Sequence, residues 1–282
     1  KSMRRQDSQG LCRFFKLWQR RQEGEDRFRG KFNLWENSLL GDALQQPEIT
    51  KELADYLLQK EYLEEAYSLY QKLMNEHSTL AEVYQKAGYI QQKQKHYTEA
   101  IRHYEHADIL MPDNVWTNKH LAQCYKLSGN MNSALEYYRK VEAVQPDNLS
   151  IALQIGQCLA RKEAYTEALS YFYKVEYLEK NPDNARRAIA WCSFVSGKNE
   201  EALKYYQLLL QQPAPKSHDW MNAGHVYLVK RQIQEALLHY QKAHAMESNH
   251  TAFIDKFNKD KATLLSLGLN KEDIQIILDL LL

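Results

Sequence analysis

Residues 81–114 read AEVYQKAGYIQQKQKHYTEAIRHYEHADILMPDN. Ala87 and Gly88 form one small site, Ala100 a second, Tyr104 follows four residues after it, and Pro112-Asp113-Asn114 closes the stretch. Small residues at two fixed places let two helix backbones approach closely, and an aromatic at i+4 from the alanine lies on the same helix face. Proline stops a helix, and Asp or Asn can cap the next. The stretch therefore reads as helix A, turn, helix B.

The same pattern recurs along the chain. Ala66, Ala100, Ala134, Ala168, Ala202 and Ala236 stand thirty-four residues apart, as do Tyr70, Tyr104, Tyr138, Phe172, Tyr206 and Tyr240. The first small position is Ala54, Gly88, Ala122, Gly156, Ala190 and Gly224. Polar turns such as Ser128-Gly129-Asn130 and Ser196-Gly197-Lys198-Asn199 separate the two helices. Six repeats follow: 47–80, 81–114, 115–148, 149–182, 183–216 and 217–250. The junction prolines are Pro112, Pro146 and Pro182, the last two residues late, which predicts a late start for helix A of 183–216. One repeat cannot bury its own apolar surface, so stability must come from stacking on neighbours, with capped ends.

Over residues 47–250 the chain resembles the tetratricopeptide-repeat family. The family pattern is met best by Trp220, Ala223, Gly224, Tyr227, Ala236, Tyr240 and Ala243, and by Tyr84, Ala87, Gly88, Ala100, Tyr104, Ala107 and Pro112. Thr50, Asn118 and Arg186 depart from its bulky first position. The resemblance implies an all-α, right-handed superhelical solenoid of six repeats with helical caps at both ends.

Scarce glycine (10) and proline (6) suit an all-helical chain. The net charge of +1 gives no global pull toward nucleic acid, and the repeats show no basic stripe. Residues 1–31, however, hold ten Lys/Arg against four acids, so that segment is +6 and the remainder −5. No run of apolar residues is long enough to span a membrane.

The two ends read as caps. Residues 1–46 form a basic helical cap in this reading. Within it Leu11, Phe14, Phe15 and Trp18 fall at i, i+3, i+4 and i+7, with Arg13, Lys16, Arg20 and Arg21 on much of the opposite side. Its alternative use is contact with an anionic membrane or an acidic partner. A second short helix is predicted over 32–44. Residues 251–282 read as capping helices, broken at Gly268, with Asn270 as an N-cap. The final helix is apolar nearly all round, so it closes the array or self-associates with another chain.

Candidate chemistry is thin. Cys124, Cys158 and Cys192 occupy one repeat position, about 10 Å apart on successive repeats, too far for a disulfide. They read as buried free thiols, which fit a reducing, cytoplasmic setting. His103-x-x-His106 and the pair His218 and His225 lack a third ligand at useful spacing, so no metal is expected. No phosphate loop, nucleophile elbow or dinucleotide fingerprint is present, and neither enzyme activity nor a cofactor is expected.

The family resemblance implies that helices A line a groove holding an extended peptide or a helix of a partner protein. By position, the groove residues are Tyr89, Trp116, Lys119, Gln123, Lys126, Gln157, Arg187, Trp191, Phe194, Met221, His225 and Leu228. Arg187, Trp191, Phe194, Met221 and Leu228 read as the anchoring patch, because exposed aromatic clusters mark partner sites. Lys119 and Gln123 resemble one pair of the family's carboxylate clamp, but its last Lys and Arg are absent, so that clamp is not predicted. The chain reads as a non-enzymatic protein-interaction scaffold. Because it begins at Lys1 rather than Met, the alternative is a regulatory or substrate-recruiting segment of a larger enzyme or assembly.

Overall fold

A computed structural model describes residues 46–76 and 79–281. The predicted N-terminal cap lies outside the described residues, apart from Gln46. Among the described residues there are fourteen helices and no strand. They are α1 (Pro47–Gln59), α2 (Leu63–Asn75), α3 (Ala81–Lys93), α4 (Tyr97–Leu110), α5 (Val115–Leu127), α6 (Met131–Val144) and α7 (Leu149–Arg161). There follow α8 (Tyr165–Leu178), α9 (Asp183–Val195), α10 (Asn199–Leu210), α11 (Ser217–Val229), α12 (Ile233–Ala245), α13 (His250–Ser266) and α14 (Lys271–Asp279). The odd-numbered helices from α1 to α11 start thirty-four residues apart. The chain thus forms tandem helical hairpins, and it divides into two compact units, one ending at Lys140 and one starting at Val141.

The small-residue seam explains how each hairpin closes. A Cβ added to Gly156 would lie 2.5 Å from the Phe172 ring, and one on Gly88 would lie 2.8 Å from Tyr104. The ring therefore occupies the space a side chain would take, and all six ladder aromatics are buried. In the first unit Leu53, Leu57, Leu69, Tyr70, Val83 and Ile90 form one continuous core across α1, α2 and α3. Ala100, Tyr104, Leu121 and Cys124 continue the pattern across α4 and α5. In the second unit Ala152, Val175 and Ala185 join α7, α8 and α9.

Each hairpin turns at one residue with positive φ: Glu61, Lys95, Gly129, Glu163, Gly197 and Arg231, again thirty-four apart. Two of the six are glycine, the residue that reaches this conformation without strain. At the junctions Asn114 and Asn148 accept from Thr117 N at 3.0 Å and Ile151 N at 3.2 Å, capping α5 and α7.

Helix α9 departs from expectation. It begins at Asp183, in step with the other A helices, and not late. Pro182 takes the N-cap position without a side-chain cap, and its carbonyl accepts from Arg186 N at 2.8 Å. The late proline displaces the Asn cap, not the helix, because Ala185 and Ile189 are buried in register.

At the C-terminal end α13 places Phe253 and Phe257 against Tyr240, with ring centroids 6.4 and 5.5 Å away. Asn270 accepts from Asp273 N at 2.6 Å and caps α14. Ile274, Ile277 and Leu278 of α14 are buried, while Ile276 and Leu280 are exposed. A helix apolar on nearly every face thus buries only one stripe.

Candidate functional site

The twelve groove residues fall into two groups, one in each unit. In the first unit Trp116 opens α5 and is 41% exposed. One turn on, His120 packs against it with ring centroids 4.0 Å apart and ring planes tilted by 37°. Tyr89 of α3 stands 6.4 Å from Trp116 and 5.9 Å from His120. Two half-buried helix-A polar groups hold this cluster from below. Gln92 Oε1 accepts from Tyr104 OH at 2.9 Å and lies 2.8 Å from His120 Nδ1. Gln85 Nε2 donates to the buried Thr117 Oγ1 at 2.8 Å.

Burial, aided by the charge of Lys119, lowers the His120 pKa to about 4, so the imidazole is neutral at physiological pH. Lys119 and Gln123 are exposed on the same helix, and Lys126 is half-buried. The result is an aromatic floor bearing a cation and an amide within about two helical turns. His120 and Gln92 escaped the sequence reading. The signal was present for His120, which stands at i+4 from Trp116 and so shares its face.

The second unit corrects the predicted anchor. Phe194, Met221, His225 and Leu228 are buried, so they do not line an open surface. His225 Nδ1 lies 2.8 Å from Tyr240 OH, and its ring packs against Phe257 of α13 at 5.1 Å. Met221 and Leu228 share helix α11 with it. Phe194 packs beside Trp191, with centroids 5.7 Å apart, and Trp191 is half-buried.

Arg187 is also engaged internally. Its Nε and Nη2 donate to the two oxygens of Asp219 at 2.8 and 3.0 Å. Asp219 is fully buried and further accepts from Lys216 N at 3.2 Å. This bidentate pair ties α9 to the start of α11, so the guanidinium is a tie between repeats. Gln157 is half-buried on α7.

A second set of helix-A charges, on α1 and α3, is likewise self-paired. Lys51 reaches Asp55 at 3.0 Å and Glu82 at 2.9 Å, while Lys86 reaches Asp55 at 2.8 Å and Glu82 at 2.5 Å. Tyr70 OH donates to Asp55 as well. Burial works against the Asp55 charge, yet Lys86, Tyr70 and Lys51 outweigh it and hold its carboxyl below the usual range. The thiols are inert by the same physics: burial pushes Cys124 up to about 12 and Cys192 up to about 11. Among the described residues, no three His, Cys, Asp or Glu side chains gather as a metal ion would require. No described helix is long and apolar enough to cross a membrane.

Residues 91–157 match the model of the tetratricopeptide repeat. Over that stretch the chain carries tetratricopeptide repeats. No curated protein matches it in sequence. Its tetratricopeptide-repeat fold recurs in solved structures of low identity. A tetratricopeptide repeat protein from Parabacteroides merdae ATCC 43184 superposes with a TM-score of 0.64 at 20% identity, over 84% of this chain and 99% of that one. PilW, described as a widely conserved type IV pilus biogenesis factor, gives 0.57 at 16% identity over 71% and 92%. MamA AMB-1 gives 0.52 at 20% identity over 57% and 88%. At these identities the tetratricopeptide-repeat likeness concerns the fold alone.

Proposed function

We propose that this tetratricopeptide-repeat chain is a non-enzymatic protein-interaction scaffold, and that a peptide or helix of a partner docks on the helix-A face of the first unit. The observation that carries this reading is Trp116. A large aromatic stands 41% exposed on a rigid bed of Tyr89, His120 and Tyr104. Aromatic anchors on rigid supports dominate binding energy at interfaces. Lys119 and Gln123, both exposed on the same helix, supply a cation and an amide for a partner's carboxylate or backbone.

The scaffold reading is supported by what repeat packing consumes. Cys124 and Cys192 sit in the interior with raised pKa values, and the ladder tyrosines spend their rings, and in part their hydroxyls, on core packing. Few groups remain for chemistry. The anchoring role moves from the 183–216 and 217–250 repeats to Trp116, because Phe194, Met221 and Leu228 of the former patch are buried and Arg187 is paired with Asp219.

The test is affinity capture with the wild-type chain and with Trp116→Ala combined with Lys119→Glu, the captured proteins being identified by mass spectrometry. Partners should bind the wild type and be lost from the variant by about tenfold or more. Circular dichroism should stay helical. Retention of every partner by a folded variant would place docking elsewhere.

A further inference from the structure

The first junction lacks the Pro-Asp-Asn closure found after α4 and α6, and Leu80, at the N-cap of α3, makes no side-chain cap. A pocket of about 300 Å³ opens there, among Pro47, Glu48 and Lys51 of α1, Leu73 of α2, and Leu80 and Val83. Leu73 and Val83 form an apolar floor, and Leu80 stands 55% exposed at the rim. Glu48 and Glu76 are exposed on its wall. The Lys51 charge is already spent on Asp55 and Glu82, so the mouth is acidic. Glu76 makes a long contact, 3.9 Å, with Lys72.

We propose that this pocket is the docking site of the chain's own residues 11–21. Leu11, Phe14, Phe15 and Trp18 repeat at the spacing of one helix face and supply the apolar anchors, while Arg13, Lys16, Arg20 and Arg21 supply the positive charge. The +6 segment and the acidic mouth are complementary in sign. Reach is no obstacle. Pro47 itself lines the pocket, and the twenty-eight residues between Trp18 and Pro47 span far more than a repeat at ~3.3–3.6 Å each. Docking would cover the apolar floor of Leu73 and Val83 and the exposed Leu80.

Cys12 is a native reporter inside the segment, whereas Cys124, Cys158 and Cys192 are buried. In the full chain carrying Thr79→Cys, at a position that lines the pocket, a short bismaleimide should link Cys12 to the new cysteine within one molecule, as read by tryptic mass spectrometry. The link should fall about tenfold when Phe15 and Trp18 become Ser, and similarly when Leu80→Glu is added, as expected for loss of an interface anchor. Leu80 is exposed, so the latter variant keeps its fold, to be checked by circular dichroism. Four results would overturn the proposal: no link, a link indifferent to these substitutions, a link only between two chains, or phosphatidylserine-vesicle binding by the full chain with no link formed. The third would make a second copy the occupant, and the fourth would assign the segment to a membrane surface.

Discussion

At Asp219 a carboxylate sits fully buried, and its charge is matched by the bidentate guanidinium of Arg187. Removing one partner of such a pair strands the other's charge, at a cost of about 3–5 kcal/mol. Arg187→Ala should therefore lower the melting temperature sharply. Combining it with Asp219→Ala should recover part of the loss, because no unpaired charge then stays buried. A single variant that melts like the wild type would show that the tie carries little. From the sequence, Arg187 was legible as a helix-A residue on the groove register but not as a partner of Asp219. The thirty-one residues between them in the chain are bridged only when α9 and α11 are in place. His225 shows the same limit: its register points to the groove, yet Tyr240 and Phe257 enclose it.

Elements were far more legible than side-chain roles. The alanine and aromatic ladder predicted paired helices, and the structure places them with a constant phase, α9 included. What the ladder did not reveal is the left-handed residue in each hairpin turn. Gly129 and Gly197 hint at it, but Glu61, Lys95, Glu163 and Arg231 occupy the same position with no local signal. Non-glycine residues there carry roughly 1–2 kcal/mol of backbone strain. Part of that is recovered by glycine, which in turn loses more entropy on folding. Lys95→Gly should raise stability by a few tenths to about 1 kcal/mol in chemical denaturation. Gly129→Ala should lower it by about as much. The opposite order would mean that the Lys95 side chain contributes more than its backbone costs.

Across the whole molecule, histidine burial sets how the fold responds to acid. His103, His120, His218 and His239 all have lowered pKa values, each chiefly through burial. A histidine that resists protonation when folded binds fewer protons there than when unfolded, so folding is disfavoured as the pH falls. This contribution is fully present above the unfolded value of about 6.5 and is lost progressively toward the folded value, about 4 for His120. Asp55 and Glu82, held below the usual carboxylate range, extend the loss into stronger acid. The melting temperature should be level from about pH 7 to 8 and decline from pH 6.5 to 4.5, with a shallower decline in His120→Gln. A flat profile through that window would contradict the buried, neutral state of these rings.

The sequence by itself determined the period, the hairpins and the residues that weld each hairpin, because these depend on contacts spaced three to sixteen residues apart along the chain. Tertiary structure alone decided which helix-A residues stay open. That choice depends on what packs over each face: α13 closes the His225 face, and Arg187 is consumed by Asp219. In the first unit Trp116 lies on its neighbours rather than beneath them, since the rings and amides under it are already satisfied by one another.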